Sequence, residues 1–406
     1  MTTVWTLFAV WAALALIASL LSFWLRVSTA LTEIVVGTTA QLVIGGAFGA
    51  TALGTDEGWI KFLAGLGAIM LTFLAGAELD PVVFKKKWKE ATVLGLAGFF
   101  FPFFGCAAAA HFVLGWQVMP SWLGGVALST TSVAVVYAVM IEYGLNRTEY
   151  GKLVLAACFI NDLGTVLALG FIFAPFTQRT LIFAVIAVVV FAALPIVTPR
   201  FMRKFGNRPS EMEIKFLLLC LMALGALASW ADSEAVLPAY IIGMMLAGTV
   251  GRDHALVRRL RALTMGLLTP FYFIRAGAFV SIPALIATPF AFGFMLLAKM
   301  VSKFIGVYPV TRIFKTPNPE AMYTTLLMST GLTFGTISSL FGLSHGIITQ
   351  DQYSILVAGV IASAVIPTII ANAFYLPRHL LPDEPEQAVE QRAAANPLPQ
   401  AAARAD

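Results

Sequence analysis

Long apolar stretches follow one another along almost the whole chain, and this succession constrains the fold more than any other feature of the sequence. Only 12% of the 406 residues are charged and 59% are hydrophobic, whereas a soluble domain carries about 25% charged residues. Because one membrane-spanning helix needs about 20 apolar residues, thirteen such helices would take up roughly 260 residues. The sequence therefore predicts an all-α polytopic membrane protein.

Polar, Gly or Pro residues separate these apolar stretches, which predict about thirteen transmembrane helices. The first stretch, Val4 to Leu25, is longer than a signal-peptide core and lacks a basic segment before it, so we expect it to remain as a helix. The predicted helices lie at about residues 4–25, 31–52, 59–79, 90–114, 119–142, 148–174, 180–199, 211–231, 235–250, 258–279, 285–312, 320–342 and 352–376.

Positive charge is concentrated in alternate loops between the predicted helices. Cytoplasmic loops carry an excess of Lys and Arg, which places the N-terminus outside and the C-terminus inside a bacterial inner membrane. The basic residues are Arg26, Lys85, Lys86, Lys87, Lys89, Arg147, Lys152, Arg200, Arg203, Lys204, Arg208, Arg252, Arg258, Arg259, Arg261, Arg312 and Lys315. Because they serve topology, membrane lipid is the expected partner, and nucleic acid is not. The stretch 383–406 is rich in Ala, Pro, Gln and Glu, which predicts a disordered cytoplasmic tail.

Short sequence strings recur at a distance of about 200 positions. Ser129-Thr130-Thr131 returns as Ser329-Thr330-Gly331, Ala75-Gly76-Ala77 returns as Ala276-Gly277-Ala278, and Gly45 has a counterpart in Gly243. These matches pair helix n with helix n+7, and an odd shift reverses the direction in which the second copy crosses the membrane. The pattern predicts two inverted six-helix repeats joined by the seventh helix, although such strings also recur by chance in apolar sequences.

Asp162, preceded by Asn161, lies near the middle of the sixth predicted helix. An ionisable group deep in a membrane costs about 2.5–3.5 kcal/mol on insertion scales, so it is a functional candidate by default. The structural alternative is an aspartate that pairs with a neighbouring helix. We predict that Asp162 binds an ion or a proton.

Small polar strings interrupt the fifth and twelfth predicted helices. Unwound backbone at membrane depth is tolerated only where it lines a cavity or is buried in protein, and two broken helices in equivalent positions point to a binding site at the midplane. Hydroxyl and carbonyl oxygens suit hard cations, although such hydroxyls also bond back to their own helix. The candidate residues are Ser129, Thr130, Thr131 and Ser132 in the fifth helix and Thr330, Gly331 and Thr333 in the twelfth.

Four further charged residues are candidates for supporting the site. Lys299 and Lys303 are four residues apart and share one face of the eleventh helix. Lys303 is the candidate buried partner of the site, whereas either lysine can also extend its amine towards the membrane surface. Arg275 and Glu78 are candidates for an ion pair across the repeats. Cysteine and histidine residues show no disulfide or metal-site spacing, so we expect no cofactor.

In combination and order, several segments resemble the prokaryotic monovalent cation/proton antiporter superfamily over about residues 4–376. They are Phe73 to Leu79, the Ser/Thr string before Val133, Asn161-Asp162, Pro270 to Phe273 with Gly277, and Lys303 before Gly306. The resemblance implies a 13-helix inverted-repeat fold, a homodimer, and a mobile core domain that carries the ion past a static scaffold. The membrane domain would comprise residues 1–382, with core helices at 90–174 and 285–376, scaffold helices at 4–79 and 211–279, and a linker helix at 180–199.

The resemblance also assigns roles to individual residues. Asp162 matches the ion- and proton-binding aspartate, Thr131 and its neighbours match ligands on a crossing helix, and Lys303 matches a basic residue of the opposing core helix. The pair Asn161-Asp162 resembles electroneutral members, whereas electrogenic members have Asp-Asp. Thr333 stands where many relatives carry Glu, which argues against a second carboxylate there.

These features predict a secondary antiporter that exchanges a monovalent cation for H⁺ and has no enzymatic activity. A bare carboxylate crosses hydrocarbon at high cost, so one ion or one proton neutralising Asp162 predicts electroneutral one-to-one exchange. Na⁺ is the first candidate, with Li⁺ and K⁺ as alternatives, the latter in a K⁺/H⁺ antiporter or K⁺ efflux system. A cation channel and an organic-anion transporter are the alternatives from other functional classes.

Overall fold

The computed structural model describes residues 2–25, 28–49, 51–77, 87–173, 177–206, 210–231 and 235–381, and these ranges contain helices and no strand. The predicted tail and Glu78 lie outside the described residues. The helices are α1 (Thr2–Leu25), α2 (Thr29–Phe48), α3 (Gly58–Ala77), α4 (Trp88–Ala108), α5 (Val118–Ser129), α6 (Val133–Glu142), α7 (Glu149–Phe173), α8 (Gln178–Phe205), α9 (Met212–Trp230), α10 (Val236–Leu246), α11 (His254–Leu263), α12 (Thr269–Ala278), α13 (Ile282–Ala287), α14 (Pro289–Ile313), α15 (Asn318–Met328), α16 (Thr333–Ser344) and α17 (Gln350–Ile370).

Ten helical segments in the described ranges are long and apolar enough to cross a membrane. Turns of wider π-helix extend α4 to Val113 and α17 to Tyr375, and another such turn joins α11 to α12. The fifth and twelfth predicted helices are both interrupted as expected, the first between α5 and α6 and the second between α15 and α16. The predicted all-α membrane architecture is therefore confirmed.

The interrupted helices lie inside the main hydrophobic core. Leu128 of α5, Val136 of α6, Phe159 of α7 and Phe334 of α16 are buried there together. Around them, α4 packs against α5, α7 and α14, while α17 packs against α14 and α16. A second apolar cluster joins α3 with α8, α9, α10 and α11. The unwound segments are thus surrounded by protein, the condition under which a membrane protein tolerates them.

Two glycines bring the backbones of α2 and α12 into direct contact. A Cβ atom added to Gly37 would collide with the carbonyl oxygen of Ile274, and one added to Gly277 would collide with the carbonyl oxygen of Ile34. Each helix therefore contributes a glycine that faces the main chain of the other. Small residues permit this close approach between membrane helices.

The same reciprocal contact occurs between α3 and α10. A Cβ atom added to Gly76 would collide with the carbonyl oxygen of Tyr240, and one added to Gly243 would collide with the carbonyl oxygen of Phe73. In both contacts, a helix from the first half of the chain (α2 or α3) and a helix from the second half (α12 or α10) each place a glycine against the other's backbone.

Four glycines hold comparable positions in these two contacts. Gly76 and Gly277 hold equivalent places in the two contacts, as do Gly37 and Gly243. Gly45, by contrast, lies near only the side chain of Gln41 of its own helix. The structure therefore shows Gly37, and not Gly45, in a contact like that of Gly243, and the match of Gly45 with Gly243 as repeat counterparts stays a prediction.

Candidate ion-binding site

The two interruptions cross and are joined by hydrogen bonds. The backbone N–H of Ser132 donates to the carbonyl oxygen of Thr330 at 3.1 Å, and the hydroxyl of Thr131 donates to the carbonyl oxygen of Met328 at 2.7 Å. Met328 ends α15, so this carbonyl has no partner within the helix. Residues from the fifth predicted helix thus complete the broken end of the twelfth.

Departure from helical backbone is sharp in both interruptions. Thr130 takes an extended conformation, with φ −62° and ψ 150°, and Leu332 has φ −152° and ψ −74°. The carboxyl ends of α5 and α15 and the amino ends of α6 and α16 consequently lie beside the crossing. Helix carboxyl ends carry partial negative charge and amino ends partial positive charge. The ends of α5 and α15 therefore favour a cation, and the starts of α6 and α16 favour an anion.

Several hydroxyls in the interruptions bond back to their own helix. Ser129 donates to Val126 O at 2.9 Å and Thr130 to Ala127 O at 3.1 Å, and Ser329 and Thr330 do the same in α15. These bonds use the hydroxyl hydrogens and leave oxygen lone pairs for other partners. These hydroxyls therefore do bond to their own helices, and their oxygens can still act as ligands.

Ser132 and Thr333 occupy the first positions after the interruptions. The Ser132 oxygen accepts a hydrogen bond from the N–H of Val135 at 3.3 Å, the arrangement of a helix N-cap. Thr333 is the first residue of α16 and is buried. Ser132 thus has a local structural role that its sequence string alone did not reveal.

Asn161 and Asp162 lie at the middle of α7 and are buried. The side-chain amide of Asn161 donates to the carbonyl oxygen of Ser129 at 3.3 Å, which brings α7 to the end of α5. Asn161 Oδ1 and Asp162 Oδ1 are buried, and neither has a hydrogen-bond partner among the described residues. Buried polar atoms usually have partners, so two open oxygen atoms on consecutive residues indicate a place for an ion or a proton.

Lys303 and Lys299 are both completely buried on α14. The ammonium group of Lys303 donates to the hydroxyl of Thr131 at 2.8 Å, and that of Lys299 donates to the hydroxyl of Ser363 in α17 at 2.8 Å. The side-chain oxygen of Asn161 receives no hydrogen bond from Lys303, since it has no partner among the described residues. Within the described ranges, Asp162 forms no ion pair with either lysine.

Gly331, in the second interruption, lies close to Lys299 and Thr130. A Cβ atom at this position would lie against the Lys299 ammonium group and 2.9 Å from the hydroxyl oxygen of Thr130. A residue without a side chain therefore lets Lys299, Thr130 and the second interruption meet. This contact places Gly331 at the site as the sequence suggested.

Tyr240 is a residue of the site that the sequence did not single out. Its hydroxyl donates to the carbonyl oxygen of Phe159 at 2.8 Å, one helical turn before Asp162. Its ring packs edge-to-face against Phe334 of α16, with 5.6 Å between ring centres. A tyrosine within an apolar helix gives no periodic signal, and its role became visible only through these contacts.

Arg275 lies away from the crossing. Its guanidinium group donates to the carbonyl oxygen of Thr55 at 2.8 Å, approaches the carboxylate of Asp56 to 4.0 Å and stacks over Phe279. These contacts tie α12 to the residues that precede α3. Because Glu78 is outside the described residues, the ion pair suggested for it with Arg275 stays a prediction.

The crossing is equipped to bind a single small cation or a proton. It combines one buried carboxylate, hydroxyl oxygens and helix carboxyl ends within an apolar core. In the described part of the chain, no group of three or more His, Cys, Asp or Glu side chains is arranged to hold a metal ion. Asp162 provides a single carboxylate at the crossing, beside the buried ammonium groups of Lys299 and Lys303, and one carboxylate matches one monovalent ion or proton.

Known proteins share both the sequence pattern and the fold. The model of the transmembrane sodium/hydrogen exchanger family matches residues 8–374. A probable Na⁺/H⁺ antiporter 3 of Methanocaldococcus jannaschii is 24% identical over 82% of this chain and 88% of its own length. Cation/H⁺ antiporter 18 of Arabidopsis thaliana is 25% identical over 78% of this chain, and the match spans 42% of the plant protein's length.

The fold is also similar to that of a solved structure. The sodium proton antiporter MjNhaP1 from Methanocaldococcus jannaschii superimposes with a TM-score of 0.67 over 92% of this chain and 100% of that chain, at 16% sequence identity. The family match covers nearly all the described helices, including both interruptions and Asp162. The chain therefore belongs to the sodium/hydrogen exchanger family of integral membrane proteins.

Proposed function

We propose that this chain exchanges a monovalent cation for H⁺, one for one, with both ions competing for Asp162. The observation that carries this proposal is the buried Asp162 carboxylate, which has an open oxygen and no ion pair among the described residues. Lys303 bonds to Thr131 instead. Asp162 thus depends on a transported ion or a proton for neutralisation.

Charge arithmetic makes the exchange electroneutral. A bare carboxylate has a high free energy in hydrocarbon, so the carrier crosses only when Asp162 holds H⁺ or a cation. Both loaded forms then have the same charge. Asn161 contributes no further titratable group, so each complete cycle moves no net charge.

Na⁺ is the first candidate for the transported cation. Similar proteins from Methanocaldococcus jannaschii, Synechocystis and Enterococcus hirae bear the name Na⁺/H⁺ antiporter. The hydroxyl and carbonyl oxygens at the crossing are hard ligands suited to such an ion. Li⁺ and K⁺ can use the same ligands in a cavity of different size.

We infer an elevator-type movement of the predicted core, 90–174 and 285–376, past the predicted scaffold, 4–79 and 211–279, in a fold of two inverted repeats. The reciprocal glycine contacts support a rigid scaffold, because they join α2 to α12 and α3 to α10 through backbone. Side-chain bonds cross the boundary with the core, from Tyr240 to Phe159 and from Tyr353 to Ala276 at 2.6 Å. Such bonds can break and reform as the core moves.

The assembly and orientation follow from the resemblance and the loop charges. We propose a homodimer in the bacterial inner membrane, with the N-terminus outside and the C-terminus in the cytoplasm. Basic residues near the start of α4 and the ends of α8 and α14 support this orientation.

Proton flux in proteoliposomes tests the function. Purified protein is reconstituted with an internal pH dye, and Na⁺, Li⁺ and K⁺ are added in turn at two imposed membrane potentials. We expect cation-driven proton movement in the wild-type protein at a rate independent of the potential, and no movement in Asp162→Asn.

Three other outcomes would contradict this proposal. Proton movement retained in Asp162→Asn would contradict the assignment of Asp162. Current without proton coupling would indicate a channel, and the absence of any cation-driven flux would turn attention to an organic substrate.

A further inference from the structure

A cavity of about 940 Å³ lies between the predicted scaffold and the predicted core. Scaffold residues of α2, α3 and α12 line one side, and Val135, Val139, Thr333 and residues of α17 line the other. Thr333 is the first residue after the second interruption, so the cavity reaches the crossing of the broken helices. Since one water takes up about 30 Å³ in the liquid, the cavity has room for on the order of thirty waters.

The cavity reaches the end of the molecule at which α2 begins and α17 finishes. Thr29, the first residue of α2, and Asn372, just beyond α17, are both part of its lining. By the loop charges, this end faces the cytoplasm. The cavity thus extends from the predicted cytoplasmic side to Thr333, beside the crossing of the broken helices.

Glu33 of α2 lines this cavity and is 2% exposed. Its carboxylate has no hydrogen bond or ion pair with any described residue. A buried carboxylate without a partner is unfavourable. Its position on the wall of this cavity indicates that its partner is an ion that binds transiently.

Comparison with the other buried acids strengthens this point. In the described ranges the buried carboxylates belong to Glu33, Asp162, Glu213 and Glu320. Glu213 pairs with Arg259 at 3.2 Å, and Glu320 contacts His379 at 2.8 Å. Among these four, only Glu33 and Asp162 form no ion pair with a described residue, and Asp162 is the proposed carrier site.

We propose that Glu33 is a recruitment site that binds the transported monovalent cation, still partly hydrated, before the cation reaches Asp162. This proposal rests on the function proposed above. Thr269, Thr333 and Thr368 also line the cavity, and hydroxyl oxygens are suitable hard donors for such a cation. A negative charge on the wall of a cleft with low-dielectric surroundings raises the local concentration of cations.

The position of Glu33 predicts an effect that differs between the two sides of the membrane. The carboxylate lies on the cytoplasmic path, so it acts on cation uptake from that side. It does not travel with the predicted core, because α2 is joined to α12 through Gly37 and Gly277. Removal of its charge should therefore change the apparent affinity and leave the rate at saturating cation unchanged.

The test is Na⁺-driven proton movement in everted and right-side-out membrane vesicles that contain Glu33→Gln. In everted vesicles, where added Na⁺ meets the cytoplasmic face, we expect the apparent KM for Na⁺ to rise about tenfold. In right-side-out vesicles we expect no change, and the maximal rate should stay the same in both. Added choline chloride should reduce the difference between wild type and variant, because salt screens the charge.

Glu33→Asp and Glu57→Gln are the matched variants. Glu33→Asp keeps the charge and should restore most of the affinity. Glu57 is exposed just before α3 and does not line the cavity, so Glu57→Gln removes the same charge with no expected change in KM. An unchanged KM in everted Glu33→Gln vesicles, or an equal fall in maximal rate in both orientations, would overturn the proposal.

A second measurement uses the unmodified protein and does not depend on how the variants fold. A hydrophobic carbodiimide modifies protonated carboxyl groups in membranes, and Na⁺ should protect the peptides that contain Glu33 and Asp162. Protection of Asp162 alone would overturn recruitment at Glu33 while supporting the proposed function. A wild-type protein without any Na⁺-linked proton movement would instead refute the proposed function itself.

Discussion

The ammonium group of Lys303 donates a hydrogen bond of 2.8 Å to the hydroxyl of Thr131, which in turn donates to the carbonyl oxygen of Met328 at 2.7 Å. One hydroxyl thereby connects α14, the first interruption and the end of α15. This relay explains how a lysine beside the site is held by a neutral group. It also leaves the Asp162 carboxylate open to an ion.

Thr131→Val should weaken both stability and exchange. The valine removes the acceptor for Lys303 and the donor for the Met328 carbonyl, and leaving buried polar groups unpaired costs about 1–3 kcal/mol each. We expect a lower melting temperature in detergent and a reduced rate of exchange. Thr131→Ser keeps the hydroxyl and serves as the control, so a serine variant as impaired as the valine variant would refute the relay.

Asn161→Asp should make transport sensitive to voltage. The substitution adds a second carboxylate next to Asp162, so the two loaded forms of the carrier can differ in charge. We expect a transport current on a solid-supported membrane that the wild-type protein lacks. Electroneutral exchange at an unchanged rate in the variant would show that residue 161 does not determine the charge moved per cycle.

Acidification should weaken the apparent affinity for the cation. Protons and cations compete for Asp162, so the cation must displace a proton from a larger fraction of carriers as the pH falls. Where the protonated form predominates, the apparent KM should rise about tenfold per pH unit with the maximal rate unchanged. A flat KM across the acidic range would indicate that the two ions bind to separate groups.

Tyr240→Phe should shift the balance between the conformations of the carrier. The variant lacks the hydroxyl that donates to Phe159 across the predicted scaffold and core boundary. We expect the described conformation to lose about 1 kcal/mol relative to the alternative. Single cysteines that line the cavity near Thr333 should then react more slowly with a water-soluble maleimide added from the cytoplasmic side. An unchanged labelling rate would contradict a state-specific role for this bond.

Gly277→Ala should prevent correct packing of α2 against α12. The added Cβ atom would collide with the carbonyl oxygen of Ile34, which has no side-chain freedom to move aside. We expect a loss of folded protein consistent with more than about 3 kcal/mol of destabilisation, measured as monodisperse yield in detergent. Gly293→Ala is the control, because Gly293 is exposed and has open space around it.

Hydrophobic periodicity predicted the helices well because every membrane span needs a long apolar stretch. The structure extends α8 to Phe205, beyond the predicted end at residue 199, because Pro199 and the basic residues after it are accommodated in the helix. The interruptions at Thr130 and Leu332 were predicted because Ser, Thr and Gly strings are weak helix formers at membrane depth. Local composition was therefore sufficient for the architecture.

The contacts between residues of the site were harder to predict from the sequence. Asp162 was found because a carboxylate at the centre of an apolar helix is conspicuous. Glu33 was missed because it lies near the start of its helix, where charged residues are common, and only the cavity revealed its position. The partner of Lys303 likewise depends on distances across the fold, which no spacing within one helix encodes.

The glycine contacts between α2 and α12 and between α3 and α10 also bear on which helices can move relative to one another. Helices whose backbones touch are interlocked, since any lateral shift drives a carbonyl oxygen into a Cα atom. Helices separated by side chains can slip past each other as rotamers rearrange. In the elevator movement proposed above, the four glycines would hold α2, α3, α10 and α12 as one rigid unit, and the cavity between Glu33 and Thr333 would mark the surface along which the core slides past it.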